Sequence, residues 1–197
     1  MATKQKSAAI GIDLGTSNSC VSTMKAGKIE VLSNAFGENT TASVVAFHED
    51  GSITVGNAAR ANIIHDPAHT VSSAKRLMGR YHFSEEARKA QAICAYEITE
   101  GANHGVRIRV REEDFSLPEV SAMVLREMKQ VAEARLNKEV TKAVITVPAY
   151  CNDNQRLGTT LANIHIHLHI SMYVYVYTHT CIFLHLYSYT HSTKFLN

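Results

Sequence analysis

Short apolar runs alternate with turn residues at the start of the chain. The runs are Ala8–Ile12, Cys20–Met24 and Ile29–Leu32, with Gly15-Thr16 and Ala26-Gly27 between them. Runs of this length that are bounded by turn residues predict β-strands. We therefore expect a three-stranded meander that begins a sheet.

The pattern between Ala35 and Asp114 predicts short strands mixed with short helices. Gly101–Gly105 suits the loop of a hairpin, because glycine-containing loops of this length join antiparallel strands. We interpret this stretch as a small inserted α+β subdomain. Its predicted elements are strands Val44–Phe47, Ile53–Val55, Ala92–Thr99 and Val106–Val110, and helices Asn57–Ile64 and Val71–Leu77.

A long helix followed by a buried strand gives the clearest local signal. Ser116 and Glu119 have the spacing of a capping box, Pro118 falls in the first turn, and apolar residues recur behind them at helical intervals. This pattern predicts a helix over Leu117–Leu136. The β-branched run Ala143–Val147 predicts a strand buried on both faces, so we expect an α/β core.

The last part of the chain has a different pattern. From residue 164 to 197, isoleucine or leucine alternates with histidine, then tyrosine with valine, and glycine, proline and acidic residues are absent. Alternation can indicate a half-buried strand, but alternating two-base DNA repeats encode the same dipeptides. We interpret residues 158–197 as an unrelated repeat-like tail, either disordered or translated from non-coding DNA.

His165, His167 and His169 would share one face of a strand and could bind Zn²⁺ or Ni²⁺, although the sequence offers them no supporting partners.

Composition argues against several classes of partner. The 197 residues carry a formal net charge of +2 with 19% charged residues, which indicates neither a nucleic-acid footprint nor an acidic tail. Histidines interrupt the apolar tail too often for a membrane-spanning helix. The four cysteines form no C-x-x-C pair, and the start of the chain has no typical targeting peptide. We expect a reducing, cytoplasmic setting.

The turn Asp13–Asn18 carries the candidate chemistry. Gly15 can adopt a positive φ and let the chain double back, so that amides of the turn and the hydroxyls of Thr16 and Ser17 converge on phosphate oxygens. Asp13 would hold Mg²⁺ through water, because Mg²⁺ in proteins usually keeps several waters. Taken alone, the same residues would also suit a plain hairpin with an Asx-type turn.

Five segments resemble one protein family. The run Ile10–Val21 is similar to the opening of the seventy-kilodalton heat-shock proteins, the DnaK-type chaperones. The resemblance covers about Ser7 to Arg156 and stops where the family's helix would continue with other residues. The other four segments, in matching order and spacing, are Asn39–Phe47, Gly56–Ala59, Ala74–Arg80 and Val144–Tyr150.

The resemblance implies an actin-like, ribonuclease-H-like ATPase fold in which two lobes close over Mg-ATP. Residues 1–34 and 115–157 would form part of the core of the first lobe, and residues 35–114 would be the inserted subdomain. The family's catalytic glutamate, second phosphate loop and adenosine pocket would lie beyond the matching residues. The fold would therefore be incomplete, and we expect weak ATP binding with little hydrolysis.

The resemblance also assigns roles to three residues outside the turn. Lys75 matches a lysine that reaches the γ-phosphate and the attacking water, and together with Asp13 it would be catalytic. Pro148 and Arg156 match a switch proline and a relay arginine that pass the nucleotide state to a peptide-binding domain. Without the resemblance, Lys75 would be an exposed helix residue, Pro148 would simply end a strand, and Arg156 would lie on an exposed helix face.

The implied function is ATP-driven release and recapture of unfolded polypeptide, with a J-domain co-chaperone and a nucleotide-exchange factor as partners. A sugar kinase of the same superfamily would share the Asp13–Thr16 turn, although Lys75 argues against it, and a non-enzymatic fragment is the third alternative.

Three residues depart from the family pattern. Ala42 replaces a proline, Ser17 replaces a commoner threonine but keeps the hydroxyl, and Cys151 replaces an aromatic residue, a loss of about 3–5 kcal/mol if the site cannot collapse.

Overall fold

The computed structural model describes residues 8–146 and 152–164. Residues 147–151, which include Pro148 and Cys151, and residues 165–197 with the three tail histidines lie outside this part. The described elements are the strands β1 (Ala8–Asp13), β2 (Asn18–Lys25), β3 (Lys28–Leu32), β4 (Thr41–Ala42), β5 (Val44–Phe47), β6 (Ile53–Val55), β7 (Thr70–Ser72), β8 (Glu97–Glu100), β9 (Val106–Val110), β10 (Glu113–Ser116) and β11 (Val140–Thr146), the helices α1 (Asn57–Asn62), α2 (Glu85–Ile93), α3 (Leu117–Leu136) and α4 (Asp153–Ile164), and short 3₁₀ helices at Pro67–His69, Ala74–Leu77 and Ala102–His104.

The main sheet has the strand order β11-β1-β2-β3, with β4 paired to β2. Strands β1 to β3 are antiparallel neighbours, so the predicted meander is confirmed. Ala26 and Gly27 join β2 to β3 with φ angles of 49° and 77°, as a two-residue hairpin turn requires. Strand β11 adds to β1 in parallel, and the sheet therefore receives a strand from more than a hundred residues further along the chain.

Helix α3 begins and ends at the predicted residues, Leu117 and Leu136. The Ser116 amide donates to the Glu119 carboxylate at 2.7 Å, and the Glu119 amide donates to the Ser116 hydroxyl at 3.4 Å. This reciprocal cap satisfies two amides that would otherwise lack partners at the helix start. The apolar face of α3 packs on the main sheet, and its buried residues include Val120, Val124, Leu125, Met128, Val131 and Ala132.

The segment between the meander and α3 forms two antiparallel three-stranded sheets, β6-β5-β7 and β10-β9-β8. The predicted strands Val44–Phe47 and Ile53–Val55 are confirmed. The predicted helix Val71–Leu77 is wrong, because Val71 pairs with β5 and Ser73, at φ 56°, separates β7 from the following 3₁₀ helix. The predicted strand Ala92–Thr99 is also too long, since α2 continues to Ile93.

The three sheets share one large buried cluster, and a second, smaller cluster is formed by β4, β5 and α1. Ile10 of the main sheet and Met128 of α3 belong to the same cluster as Val45, Val71 and Ile108 of the two smaller sheets. Each large aliphatic side chain buried in this way contributes about 1.5–3 kcal/mol to folding. The division of the chain into 1–34, 35–114 and 115–157 stays a prediction, because packing is continuous across its boundaries.

Helix α4 crosses the predicted boundary after residue 157. It packs against α3, and its Ala162 is fully buried. A Cβ atom on Gly79, which has φ 66°, would lie 2.6 Å from the Gln155 backbone nitrogen. Glycine is required at residue 79 for both reasons, and the close approach brings the start of α4 against the segment that follows the 3₁₀ helix Ala74–Leu77.

Candidate functional site

The predicted phosphate turn connects β1 to β2 and depends on a close backbone approach. Asp13 ends β1 and lies opposite Cys20 in the antiparallel register. A Cβ atom on Gly15 would lie 2.0 Å from the Asn18 carbonyl oxygen. Gly15 does not have a positive φ, so the predicted reason for glycine is wrong. The residue is needed because only a hydrogen fits against the returning chain.

Two serines fix the shape of this turn. The Gly15 amide donates to the Ser19 hydroxyl at 3.2 Å, and the Ser43 hydroxyl donates to the Gly15 carbonyl at 2.9 Å. The two hydroxyl oxygens are 2.9 Å apart. Since the Ser43 proton is used at Gly15, the Ser19 hydroxyl donates to Ser43. The Gly15 amide is therefore engaged inside the turn rather than offered to a phosphate.

The remaining residues of the turn lie closer to solvent. Thr16 is half-buried, and Ser17 and Asn18 are exposed. The Ser17 carbonyl accepts from the Ser43 amide at 2.9 Å, and this bond ties the turn to the start of β5. Thr16 to Asn18 are thus the accessible part of the predicted phosphate site. Their backbone is fixed by hydrogen bonds from Ser43 to the carbonyls of Gly15 and Ser17.

Asp13 is held by a strand from the other end of the described chain. The Thr146 hydroxyl donates to Asp13 Oδ1 at 2.8 Å, as the parallel pairing of these two residues allows. Thr146 is buried, whereas Asp13 is exposed. The opposite neighbour, Cys20, has a thiol pKa raised by burial and secondarily by the Asp13 charge. The carboxylate is fixed at one oxygen and open to water.

Lys75 reaches the same turn from the 3₁₀ helix Ala74–Leu77. Its ammonium group donates to the Leu14 carbonyl oxygen. The structure thus brings together Asp13, the Gly15–Asn18 backbone and Lys75, although Lys75 is 61 positions from Leu14 in the sequence. A compact ammonium beside a phosphate turn can stabilise negative charge on phosphoryl oxygens.

Of the two predicted relay residues, the structure describes Arg156 alone. Arg156 lies in the first turns of α4, where it pairs with Asp153 at 3.2 Å, and its Nε is buried without a hydrogen-bond partner among the described residues. Pro148 lies outside the described part of the chain. The relay role of both residues stays a prediction.

The donor set at the turn suits magnesium held through water. Asp13 supplies one exposed carboxylate, and within residues 8–146 and 152–164 no three histidine, cysteine or acidic side chains gather at one point. Mg²⁺ commonly keeps several waters and takes one or two carboxylates. Asp13 therefore fits the predicted water-mediated role, and no protein cage is needed.

Sequence reasoning missed three residues that shape the site. Ser43 was included in a family-like segment without a role, and neither Ser19 nor Thr146 was assigned one. Their partners lie 24 or more positions away, except for the bond from Gly15 to Ser19. Only that i to i+4 contact within a turn could have been suggested by local hydroxyl chemistry.

No helix in the described residues is both long enough and apolar enough to span a membrane.

The comparison with family models covers the turn and most of the other described elements. A model described as Hsp70 protein matches residues 9–171, which is most of the chain. The match includes the β1–β2 turn, Lys75, β11 and α4, and it continues past Arg156 into residues outside the described part. The chain therefore belongs to the Hsp70 protein family.

Proposed function

We propose that this chain supplies the phosphate- and magnesium-binding side of an ATP site in an Hsp70-type chaperone. One observation carries the proposal: the Lys75 ammonium donates to the Leu14 carbonyl, next to Asp13, although Lys75 lies 61 positions further along the chain than Leu14. A plain hairpin would not need a lysine from another element at its tip. The accessible residues Thr16, Ser17 and Asn18 would meet the phosphates.

The mixed α/β architecture agrees with one lobe of an actin-like ATPase. The parallel pair β1 and β11 next to the antiparallel strands β2 and β3, covered by α3, supports this finer interpretation. Membership in the Hsp70 family favours the chaperone over the sugar-kinase alternative.

Each residue has a defined task at the proposed site. Asp13 would orient the water shell of Mg²⁺, with Thr146 keeping the carboxylate in one rotamer. Lys75 would neutralise charge on the terminal phosphate, which is the main requirement of phosphoryl transfer. Bound Mg²⁺ would supply charge neutralisation between the phosphate oxygens. ATP hydrolysis coupled to the binding and release of unfolded polypeptide, with a J-domain co-chaperone and a nucleotide-exchange factor as partners, is the function that family membership supports. We further propose that it takes place in the cytoplasm.

Calorimetric titration with ATP tests this proposal. We expect the 197-residue chain to bind Mg-ATP weakly, with a Kd on the order of 1 mM, or about −4 kcal/mol, because the contacts proposed within the described residues are to the phosphates and to magnesium. Binding should weaken when Mg²⁺ is omitted and disappear in Lys75→Ala. Lys28→Ala, on the exposed strand β3, is the matched control and should bind as the unmodified chain does. Equal loss in both lysine variants would refute the assigned role.

A further inference from the structure

A cavity of about 550 Å³ lies next to the phosphate turn and extends away from it. Thr16 forms part of its wall, and further residues come from the end of β7, from the 3₁₀ helix Ala74–Leu77 with the following Arg80, from α2 and from Gln155 of α4. This volume is within the usual range for small-molecule sites, about 300–1,000 Å³. The cavity is therefore large enough for a ligand of its own beyond the turn.

The walls of this cavity are strongly basic. Four cationic side chains line it, and Glu86 is the one carboxylate among its lining residues. Within residues 8–146 and 152–164, Arg76 forms no salt bridge. The four cationic residues are Lys75, Arg76, Arg80 and Lys89. An excess of positive charge along a concave wall raises the local concentration of anions.

Arg80 gives the most specific indication of a ligand. One terminal nitrogen of its guanidinium lies 3.0 Å from Glu86, but its Nε is buried and has no hydrogen-bond partner among the described residues. A buried donor left unsatisfied is costly, and such a group commonly marks a site for water or an ion. The backbone at Arg80 is well fixed, because its amide donates to Leu77 at 3.0 Å and the adjoining Gly79 packs against α4.

A doubly charged anion can displace the carboxylates that pair with the cationic side chains at the cavity. Arg80 and Glu86 have side chains 35% and 48% exposed, and the Lys89–Glu85 pair is more exposed still. Exposed pairs of this kind contribute little to stability. A doubly charged oxyanion with several acceptor oxygens would therefore compete well for the same guanidinium and ammonium groups.

We propose that this cavity is a second anion site that binds a phosphate-class oxyanion through Arg76, Arg80 and Lys89. The planar guanidinium groups match phosphate oxygens with paired N–H donors. The ligand could be phosphate taken from solution or phosphate released at the neighbouring turn, and the recognition chemistry is the same for both. The site goes beyond the proposed ATP site and does not require it.

Titration of the full chain with inorganic phosphate, without metal or nucleotide, tests the proposal. Binding is followed by amide chemical shifts, with sodium chloride at matched ionic strength as the reference. We expect saturable shifts at Arg76, Arg80 and Lys89, and an affinity about tenfold lower in Arg80→Gln. Arg88→Gln removes the same charge from an exposed position of α2 outside the cavity wall, and it should leave the affinity unchanged.

Three outcomes would overturn this site. Equal weakening by Arg88→Gln and Arg80→Gln would indicate general charge attraction. Loss of the phosphate shifts in Asp13→Asn but not in Arg80→Gln would locate the anion at the turn. Shifts no larger than those caused by chloride would exclude a specific site. Arg76→Gln provides a second variant if circular dichroism shows that Arg80→Gln does not fold, and it should also weaken binding.

A second titration distinguishes phosphate taken from solution from phosphate released at the turn. Phosphate presented together with Mg-ATP should give the same Arg80 shifts as phosphate alone if the site takes the ion from solution. Arg80 shifts that appear with Mg-ATP alone, and that grow as ATP is hydrolysed, would show that phosphate released at the turn also reaches the site. Failure of ATP binding in this experiment would leave the phosphate titration of the metal-free chain intact, so the two proposals fail separately.

Discussion

Thr146 donates a hydrogen bond to Asp13 over 2.8 Å and across 133 positions of sequence. The bond exists because β11 pairs in parallel with β1 so that the last residues of both strands are partners. The position of the acidic residue at the phosphate turn therefore depends on the addition of β11, and the site is complete only when that strand has joined the sheet.

Replacing Thr146 with valine should weaken the magnesium site and slightly destabilise the fold. Valine keeps the shape of the buried side chain but removes the hydroxyl, and Asp13 is exposed enough for water to replace the lost donor. We expect a loss of about 1 kcal/mol in the free energy of unfolding and a several-fold weaker Mg-ATP affinity. Urea denaturation and calorimetry measure the two effects, and Thr146→Ser should restore the affinity. Unchanged affinity in Thr146→Val would mean that the bond does not position the carboxylate.

Loss of the Ser43 hydroxyl should loosen the phosphate turn. Ser43 donates to the Gly15 carbonyl and accepts from Ser19, so Ser43→Ala removes both contacts. We expect the free energy of unfolding to fall by about 1–2 kcal/mol. Ser52→Ala, on an exposed turn, is the control and should lower the free energy of unfolding by less than half as much. A smaller loss for Ser43→Ala than for Ser52→Ala would contradict the network.

Arg111 should stabilise the fold more than Arg109, although both are arginines near the β9–β10 turn. Arg111 bonds the Phe47 carbonyl at 2.8 Å and Asp66 at 2.6 Å, with its side chain 26% exposed. Arg109 pairs with Asp114 while 46% exposed. We expect Arg111→Gln to lower the free energy of unfolding by about 1–2 kcal/mol and Arg109→Gln to lower it far less, because its ion pair is exposed to solvent. Urea denaturation measures the loss in the free energy of unfolding for each variant. A larger loss for Arg109→Gln than for Arg111→Gln would show that the Asp66 contact is not formed in solution.

The Cys20 thiol should report the charge of Asp13. Burial is the larger cause of its raised pKa, and the Asp13 carboxylate adds to it by disfavouring the thiolate. Asp13→Asn removes that charge, so the thiol pKa should fall and more thiolate should form at a given pH. The alkylation rate of Cys20, followed by mass spectrometry between pH 7 and 9, should rise in the variant while remaining slow. A slower rate in Asp13→Asn would be incompatible with the two side chains facing each other.

Local patterns predicted α3 and the meander because the necessary information is local. Ser116 and Glu119 cap the helix that they begin, and Ala26-Gly27 takes the turn that its own sequence favours. Helix α2 was missed although Ser84 accepts from the Ala87 amide and two glutamates follow it, a start signal that single-sequence reasoning can use.

Errors arose where a distant partner determines the local structure. The local sequence at Val71 and Ser72 favours a helix, but both residues form a strand because they pair with β5. The polar strand Glu113–Ser116 was also missed, because its pairing with β9 gives no apolar signal. At the site, the family resemblance located Asp13 and Lys75, whereas the bonds from Ser43 and Thr146 required the folded chain.

Mapping Mg-ATP onto individual amides is the most direct measurement of the central claim. We predict that titration shifts the amides of Thr16, Ser17 and Asn18 first, that the shifts require Mg²⁺, and that Lys75→Ala abolishes them while the rest of the spectrum stays folded. Magnesium-independent shifts elsewhere on the chain, or unchanged turn shifts in Lys75→Ala, would contradict the assignment of this turn and lysine to ATP phosphates.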